Sequence, residues 1–259
     1  MPEPARFDAD SVRAAWDRAA DGYAASQEAG LDYYRYEFLG PAQVAACGDV
    51  RGLRVLDVGC GSGYLAREMA TRGARAEGVD ISPRMIEHAR RHEARSPLGI
   101  AYHAGDAAEV ASLFAAESFD LAVSCIALQD MPDPAAVLRG VFSVLRPGGR
   151  FVASISHPCS ETPFRRWERD EAGGKRWLCI DRYFERGPVE FQWERWGGFT
   201  TAMLHVPLED WFQWIVAAGF HLRAVREPRP TDDAVRANPK LADAARVPYY
   251  VIFDLQRPG

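Results

Sequence analysis

From about residue 53 to residue 156, short runs dense in Val, Ile and Leu alternate with longer stretches whose apolar residues recur every three or four positions. The runs are Leu53 to Val58, Arg75 to Asp80, Ile100 to His103, Phe119 to Cys125 and Gly149 to Ser156. The intervening stretches, Tyr64 to Thr71, Arg84 to Ala94, Ala107 to Phe114 and Ala135 to Leu145, carry helical spacing. A switch of period between two and 3.6 that repeats in this way predicts βαβ units and a parallel sheet covered on both faces. Ser82-Pro83 and Pro134 supply helix starts, and Pro147-Gly148-Gly149 is expected to close the last helix of the run.

Upstream, residues 9 to 46 read as one or two amphipathic helices bearing Trp16, Tyr23, Tyr33, Tyr34 and Tyr36, and are expected to form a cap. Residues 157 to 206 break the α/β pattern. They hold Trp167, Trp177, Tyr183, Phe184, Trp193, Trp196 and Phe199, an aromatic content that opposes disorder. So long an irregular connection in a compact domain is expected to be a substrate lid. A helix near Pro207 to Ala218, a strand near Phe220 to Arg226 and a last strand near Pro248 to Leu255 then complete the core. The expected organisation is one domain over 1–259, with a cap at 9–46, a core at 47–156, an inserted lid at 157–206 and core completion at 207–259.

The candidate chemistry lies where the first strand ends, in Asp57-Val58-Gly59-Cys60-Gly61-Ser62-Gly63. Glycines at 59, 61 and 63 let the backbone turn tightly and approach a ligand, at the strand end where open α/β sheets place their crevice. A dinucleotide fingerprint would need G-x-G-x-x-G, and position 64 is Tyr. Two further acids, Asp80 and Asp106, end the second and follow the third strand. Three carboxylates at successive strand ends describe a positively charged nucleoside better than a phosphate.

These residues, through Leu145-Arg146-Pro147-Gly148-Gly149, closely resemble the class I S-adenosylmethionine-dependent methyltransferase family. The resemblance covers roughly residues 10 to 156. It implies a Rossmann-like, doubly wound sheet of seven strands with the last antiparallel, and S-adenosyl-L-methionine as cofactor, with S-adenosyl-L-homocysteine as product. By family pattern Asp57, Gly59, Gly61 and Gly63 line the methionine part, Asp80 the ribose, Ile81 and Met85 the adenine face, and Asp106 and Ala107 the adenine edge. Ser124 to Gln129, including Cys125, would run beside the transferable methyl group. Tyr23 and Arg35 match positions that clamp the methionine carboxylate in related small-molecule enzymes.

Composition narrows the partners. A formal net charge of −5 and a neutral insertion, with eight basic and eight acidic residues between 160 and 205, offer no track for nucleic acid. No apolar run suggests a membrane span or secretory leader, so a cytoplasmic protein is expected, as monomer or homo-oligomer. Cysteines 47, 60, 125, 159 and 179 are scattered singly and predict unpaired thiols rather than a metal site.

His157, following the fifth strand at its carboxyl end, is the candidate general base. His205 is a weaker one, and His88 and His92 are expected to face solvent. Asp120 is expected to be structural. Trp16, Tyr33, Gln129, His157 and Trp196 are the candidate acceptor contacts, with Trp193 or Trp196 stacking on a ring or facing a cationic amine. The expected function is methyl transfer to a nitrogen or oxygen of a small molecule, in bacterial secondary metabolism. The alternatives are an RNA or protein methyltransferase, against which the absent Asn/Asp-Pro-Pro-Tyr signature counts, and a non-methylating Rossmann protein.

Overall fold

The computed structural model describes residues 6–162, 164–193 and 198–259. The cap opens with α1 (Ala9–Glu28), whose start is fixed by a reciprocal cap: Asp8 Oδ1 accepts from Ser11 N at 2.9 Å and Ser11 Oγ accepts from Asp8 N at 2.9 Å. A π-helical turn (Arg35–Leu39) leads into α2 (Gly40–Cys47).

The core runs β1 (Arg54–Val58), α3 (Tyr64–Thr71), β2 (Arg75–Asp80), α4 (Pro83–Arg95), β3 (Ala101–Ala104), a 3₁₀ turn (Ala107–Glu109) with α5 (Val110–Leu113), β4 (Phe119–Cys125), a 3₁₀ turn (Leu128–Asp130), α6 (Pro134–Val144) and β5 (Leu145–Ser156). Ser82 and Asp133 cap α4 and α6 through their side-chain oxygens, each followed by a proline.

The insertion forms two antiparallel hairpins, β6 (Arg165–Arg169) with β7 (Lys175–Ile180) and β8 (Gly187–Trp193) with β9 (Phe199–His205). Then come α7 (Leu208–Ala217), β10 (His221–Arg226), α8 (Asp232–Ala237) and β11 (Tyr250–Gln256).

The seven-stranded sheet has the order β10-β11-β5-β4-β1-β2-β3. Its pairs are parallel except those of β11, which runs antiparallel to both β5 and β10. This is the Rossmann-like arrangement expected, last strand included.

Alternate side chains feed two cores. Val55, Leu121, Val123, Val152 and Ile252 pack on one face, and Leu56, Val58, Phe151, Ala153, Ile155 and Phe253 on the other. Burial on both faces is why these strands read as near-continuous apolar runs. The strand order reverses beside β1, so its carboxyl end and that of β4 open a crevice.

Two expectations change. Pro147-Gly148-Gly149 does not separate helix from strand: pairing starts at Leu145, and the register jumps from Phe119↔Leu145 to Leu121↔Arg150, so the turn is a bulge inside β5. Arg257 N donates to Gly149 O at 2.9 Å and ties that bulge to the chain beyond β11. His88 and His92 are not simply solvated, since His88 Nε2 meets Asp21 at 2.8 Å and His92 Nε2 lies 3.7 Å from Glu28, joining α4 to α1. Among the described residues no helix is long and apolar enough to cross a membrane, and no group of three metal-ligating side chains converges. The five cysteines are free thiols.

Candidate active site

Two adjoining cavities that share lining residues lie above the carboxyl ends of β1, β2 and β4. The first, a cleft of about 840 Å³, is lined by eleven of the twelve residues that the family pattern assigns to the cofactor: Tyr23, Arg35, Asp57, Gly59, Gly61, Asp80, Ile81, Met85, Asp106, Ala107 and Cys125. Gly63 is the exception. It begins α3 at φ +92°, and a Cβ there would fall 2.5 Å from Tyr102 Oη, so this glycine serves packing behind the cleft. Gly59, at φ +72°, is equally obligatory, because a Cβ would meet that of Ala127 at 2.6 Å. The methylene of Gly61 faces open space, with only the Tyr23 ring at the 4.0 Å limit.

The carboxylates are fixed by the backbone. Asp80 accepts from Gly61 N at 2.8 Å and from Ser82 N at 2.9 Å, which aims the glycine loop and holds the carboxylate at the strand end. Asp57 accepts from Ala66 N at 2.8 Å, in the first turn of α3. Burial pushes the Asp57 carboxyl up to about 7 and that of Asp80 up to about 6. Asp106 caps its 3₁₀ turn by accepting from Ala108 N.

The cleft has one cation among its described lining residues, Arg35. That guanidinium is buried, bonded to Asp32 at 3.0 Å, and sits 5.8 Å and 5.6 Å from the ring centroids of Tyr23 and Tyr64. Burial pushes the Cys125 thiol up to about 11, so it lines the cleft as a neutral group.

The second cavity is a chamber of about 1420 Å³ that shares Trp16, Tyr23, Arg35, Ile126 and Asp130 with the first. These five residues form the shared boundary, or neck, between the two. Hairpin β8–β9 roofs the chamber with Phe191, Trp193, Thr201 and Met203, and packs on α1, where Trp16, Tyr23, Trp193 and Phe199 form a ring cluster. Opposite are Tyr34, Glu161, Arg165, Trp167, Lys175, Tyr249 and Tyr250. Asp243 lies behind them and accepts from Tyr34 Oη and Tyr249 Oη, each at 3.1 Å, and from Lys175 Nζ. Burial pushes the Glu161 carboxyl up to about 7, against the opposing pull of Arg165.

The chain matches the family described as "Methyltransferase domain" over residues 49–196. It is 34% identical to an S-adenosylmethionine-dependent methyltransferase of known structure from Mesorhizobium loti, which covers 84% of this chain and 96% of that one with a TM-score of 0.74. The chain belongs to the S-adenosylmethionine-dependent methyltransferase family. A structure described as a putative methyltransferase of that kind from Listeria monocytogenes, 24% identical, shares the fold at a TM-score of 0.73 over 85% of this chain and 96% of that one. A ubiquinone biosynthesis O-methyltransferase of Xanthomonas axonopodis pv. citri is 40% identical over 104 residues, 40% of this chain and 43% of that protein. The chain thus spans less than half the length of the curated relatives it matches.

The cleft fits the family's cofactor on its own chemistry. Its polar lining is mostly acidic, and its glycine loop opens onto the space beside Tyr23. A pyrophosphate would meet anions there, whereas a cationic nucleoside with ribose hydroxyls would relieve them.

In this chain the candidate acceptor residues separate. Trp16 and Gln129 line the chamber. Tyr33 does not. Its ring packs 4.6 Å from that of Tyr34 and faces an outer cleft beside Lys240, and Tyr34 takes the inner place. Trp196 lies outside the described residues.

The reading of His157 as a general base and acceptor contact is corrected, because neither cavity includes it. Its Nδ1 accepts from Cys159 N at 3.2 Å, which leaves Nε2 as the protonated donor to Glu227 at 3.0 Å. Burial lowers its pKa in spite of Glu227. His157 O accepts from Glu161 N at 2.8 Å, so the histidine anchors the turn that carries Glu161 to the chamber. His205 is likewise structural, holding Tyr183 O at 3.1 Å.

Asp130, Glu161, Trp167 and Tyr250 escaped sequence reasoning. A faint signal for Asp130 was its place just after the segment expected beside the methyl group.

Proposed function

We propose that this chain transfers the methyl group of S-adenosylmethionine to a nitrogen or oxygen of a small molecule held in the aromatic chamber. The observation that carries the reading is the adjacency of the two cavities: the acidic cleft over the glycine loop shares Trp16, Tyr23, Arg35, Ile126 and Asp130 with a chamber roofed by β8–β9.

S-adenosylmethionine supplies an electrophilic methyl carbon on a sulfonium. The chain's part is to bind, align and exclude water, which is most of what an in-line displacement needs. Asp57 would face the methionine part, Asp80 the ribose, Asp106 and Ala107 the adenine edge, and Ile81 and Met85 the adenine face. Arg35, braced by Asp32 and two tyrosine rings, suits the carboxylate end. The aromatic walls keep the acceptor dry and oriented. A roofed chamber favours a ligand taken up whole over a polymer lying across the surface.

Calorimetric titration tests the reading. S-adenosylhomocysteine should bind at one site and NADH should give no heat. Asp80→Ala should weaken the nucleoside by about 1.5–3 kcal/mol, roughly ten- to hundredfold, through lost charge-assisted hydrogen bonds. NADH binding without S-adenosylhomocysteine binding rejects the function, and an unchanged Asp80→Ala affinity rejects the ribose role.

A further inference from the structure

The neck between cleft and chamber holds one carboxylate that the fold leaves alone. Asp130 ends the 3₁₀ turn after β4 and lines both cavities, yet among the described residues its side chain has no hydrogen bond and no ion pair. Among the described residues every other charge on the chamber wall is matched: Asp32 with Arg35 at 3.0 Å, Glu161 with Arg165 at 2.7 Å, and Lys175 with Asp243. Next to it Gln129, only 7% exposed, spends its Nε2 on Ile126 O at 2.7 Å, and its Oε1 stays buried with no donor. Two neighbouring acceptors therefore wait for donors inside a chamber walled by Trp16, Tyr23, Phe191 and Trp193. Burial and the nearby Asp80 push the Asp130 carboxyl well above the usual carboxylate range, so the ion is disfavoured until a cation joins it.

We infer that the acceptor is an amine on an aromatic or flat apolar body, entering as its ammonium ion and held by Asp130 at the neck and by Gln129 on the adjoining chamber wall. The inference rests on the methyl-donor reading of the cleft and decides between nitrogen and oxygen. An ammonium supplies the donors both groups lack, and aromatic walls favour it over a neutral or anionic counterpart. Asp130 then takes the proton that masks the nitrogen. The freed lone pair forms the new N–C bond as the C–S bond breaks, its electrons staying on sulfur, and the proton passes from Asp130 to solvent on product release.

Calorimetry with three probes of one shape tests this: tyramine, its neutral alcohol tyrosol, and the anion 4-hydroxyphenylacetate, each against protein saturated with S-adenosylhomocysteine. Tyramine should bind at least tenfold tighter than the other two. Asp130→Asn should abolish that preference by weakening tyramine tenfold or more while weakening S-adenosylhomocysteine less than threefold, and Gln129→Leu should weaken tyramine severalfold on its own, which serves if the first variant does not fold. Equal or tighter binding of tyrosol or the acid overturns the inference, as does an absence of tyramine binding. So does an Asp130→Asn variant whose main loss is in S-adenosylmethionine relative to S-adenosylhomocysteine, since the carboxylate would then serve the sulfonium. Failure of the unaltered protein to bind S-adenosylhomocysteine would instead remove the methyl-donor reading beneath it.

Discussion

Asp57 and Asp80 are held by burial at about 7 and about 6, so the folded, ligand-free chain keeps their protons across a range where the unfolded chain, near 3.8, has lost them. With more protons on the folded side, the contribution of these two groups to stability falls as pH rises from about 4 to about 7. A ligand that donates hydrogen bonds or positive charge to the carboxylates favours their ionised forms and reverses that trend. The rise in melting temperature produced by S-adenosylhomocysteine should therefore be larger at pH 7.5 than at pH 5.5. A rise that is equal or smaller at pH 7.5 would contradict the roles given to these acids. Both residues were legible in the sequence because each sits beside a local signal, a glycine turn or a strand end. Asp130 and Glu161 were not, since what marks them is the partner one lacks and the chamber the other faces, and both depend on segments distant in the chain. His157 was misread for the same reason: its position after β5 was right, but Glu227 and Cys159 N claim both ring nitrogens.

Among the elements, the junction of β1 with α3 is the most constrained. Gly63 holds φ +92° and its missing Cβ leaves room for Tyr102 Oη, which a methyl group would approach to 2.5 Å. Gly63→Ala should cost about 1–3 kcal/mol in backbone strain alone. For a domain of this size that is about 2–4 °C of melting temperature per kcal/mol. A variant that melts with the unaltered protein would show that the turn tolerates a side chain and that the glycine is there for another reason. The core strands could be read within a residue or so at most ends because burial on two faces writes a continuous apolar run. The bulge in β5 could not, as Pro147-Gly148-Gly149 marks a turn without saying that pairing has begun at Leu145. Hairpin β8–β9 did carry a signal, the alternation of Val189, Phe191 and Trp193 against Glu190 and Gln192. In β6–β7 neither face is fully buried, and the pattern that betrays a strand is missing.

At the scale of the molecule, cap and insertion meet over the crevice that the sheet opens. α1 packs on both α4 and β9, so the helix bearing Trp16 and Tyr23 is held between the cofactor wall and the chamber roof. The seven-stranded sheet and its antiparallel last strand followed from the family resemblance rather than from periodicity, which cannot order strands, and the order itself came only with the structure. The two-chamber layout was legible only as an expectation of a lid. Co-crystallisation with S-adenosylhomocysteine tests the whole arrangement most directly. Density should lie in the cleft with the ribose at Asp80, the adenine edge at Asp106 and the sulfur facing the neck toward Gln129 and Trp193. A nucleoside bound elsewhere, or turned so that its sulfur faces away from the chamber, would contradict the account.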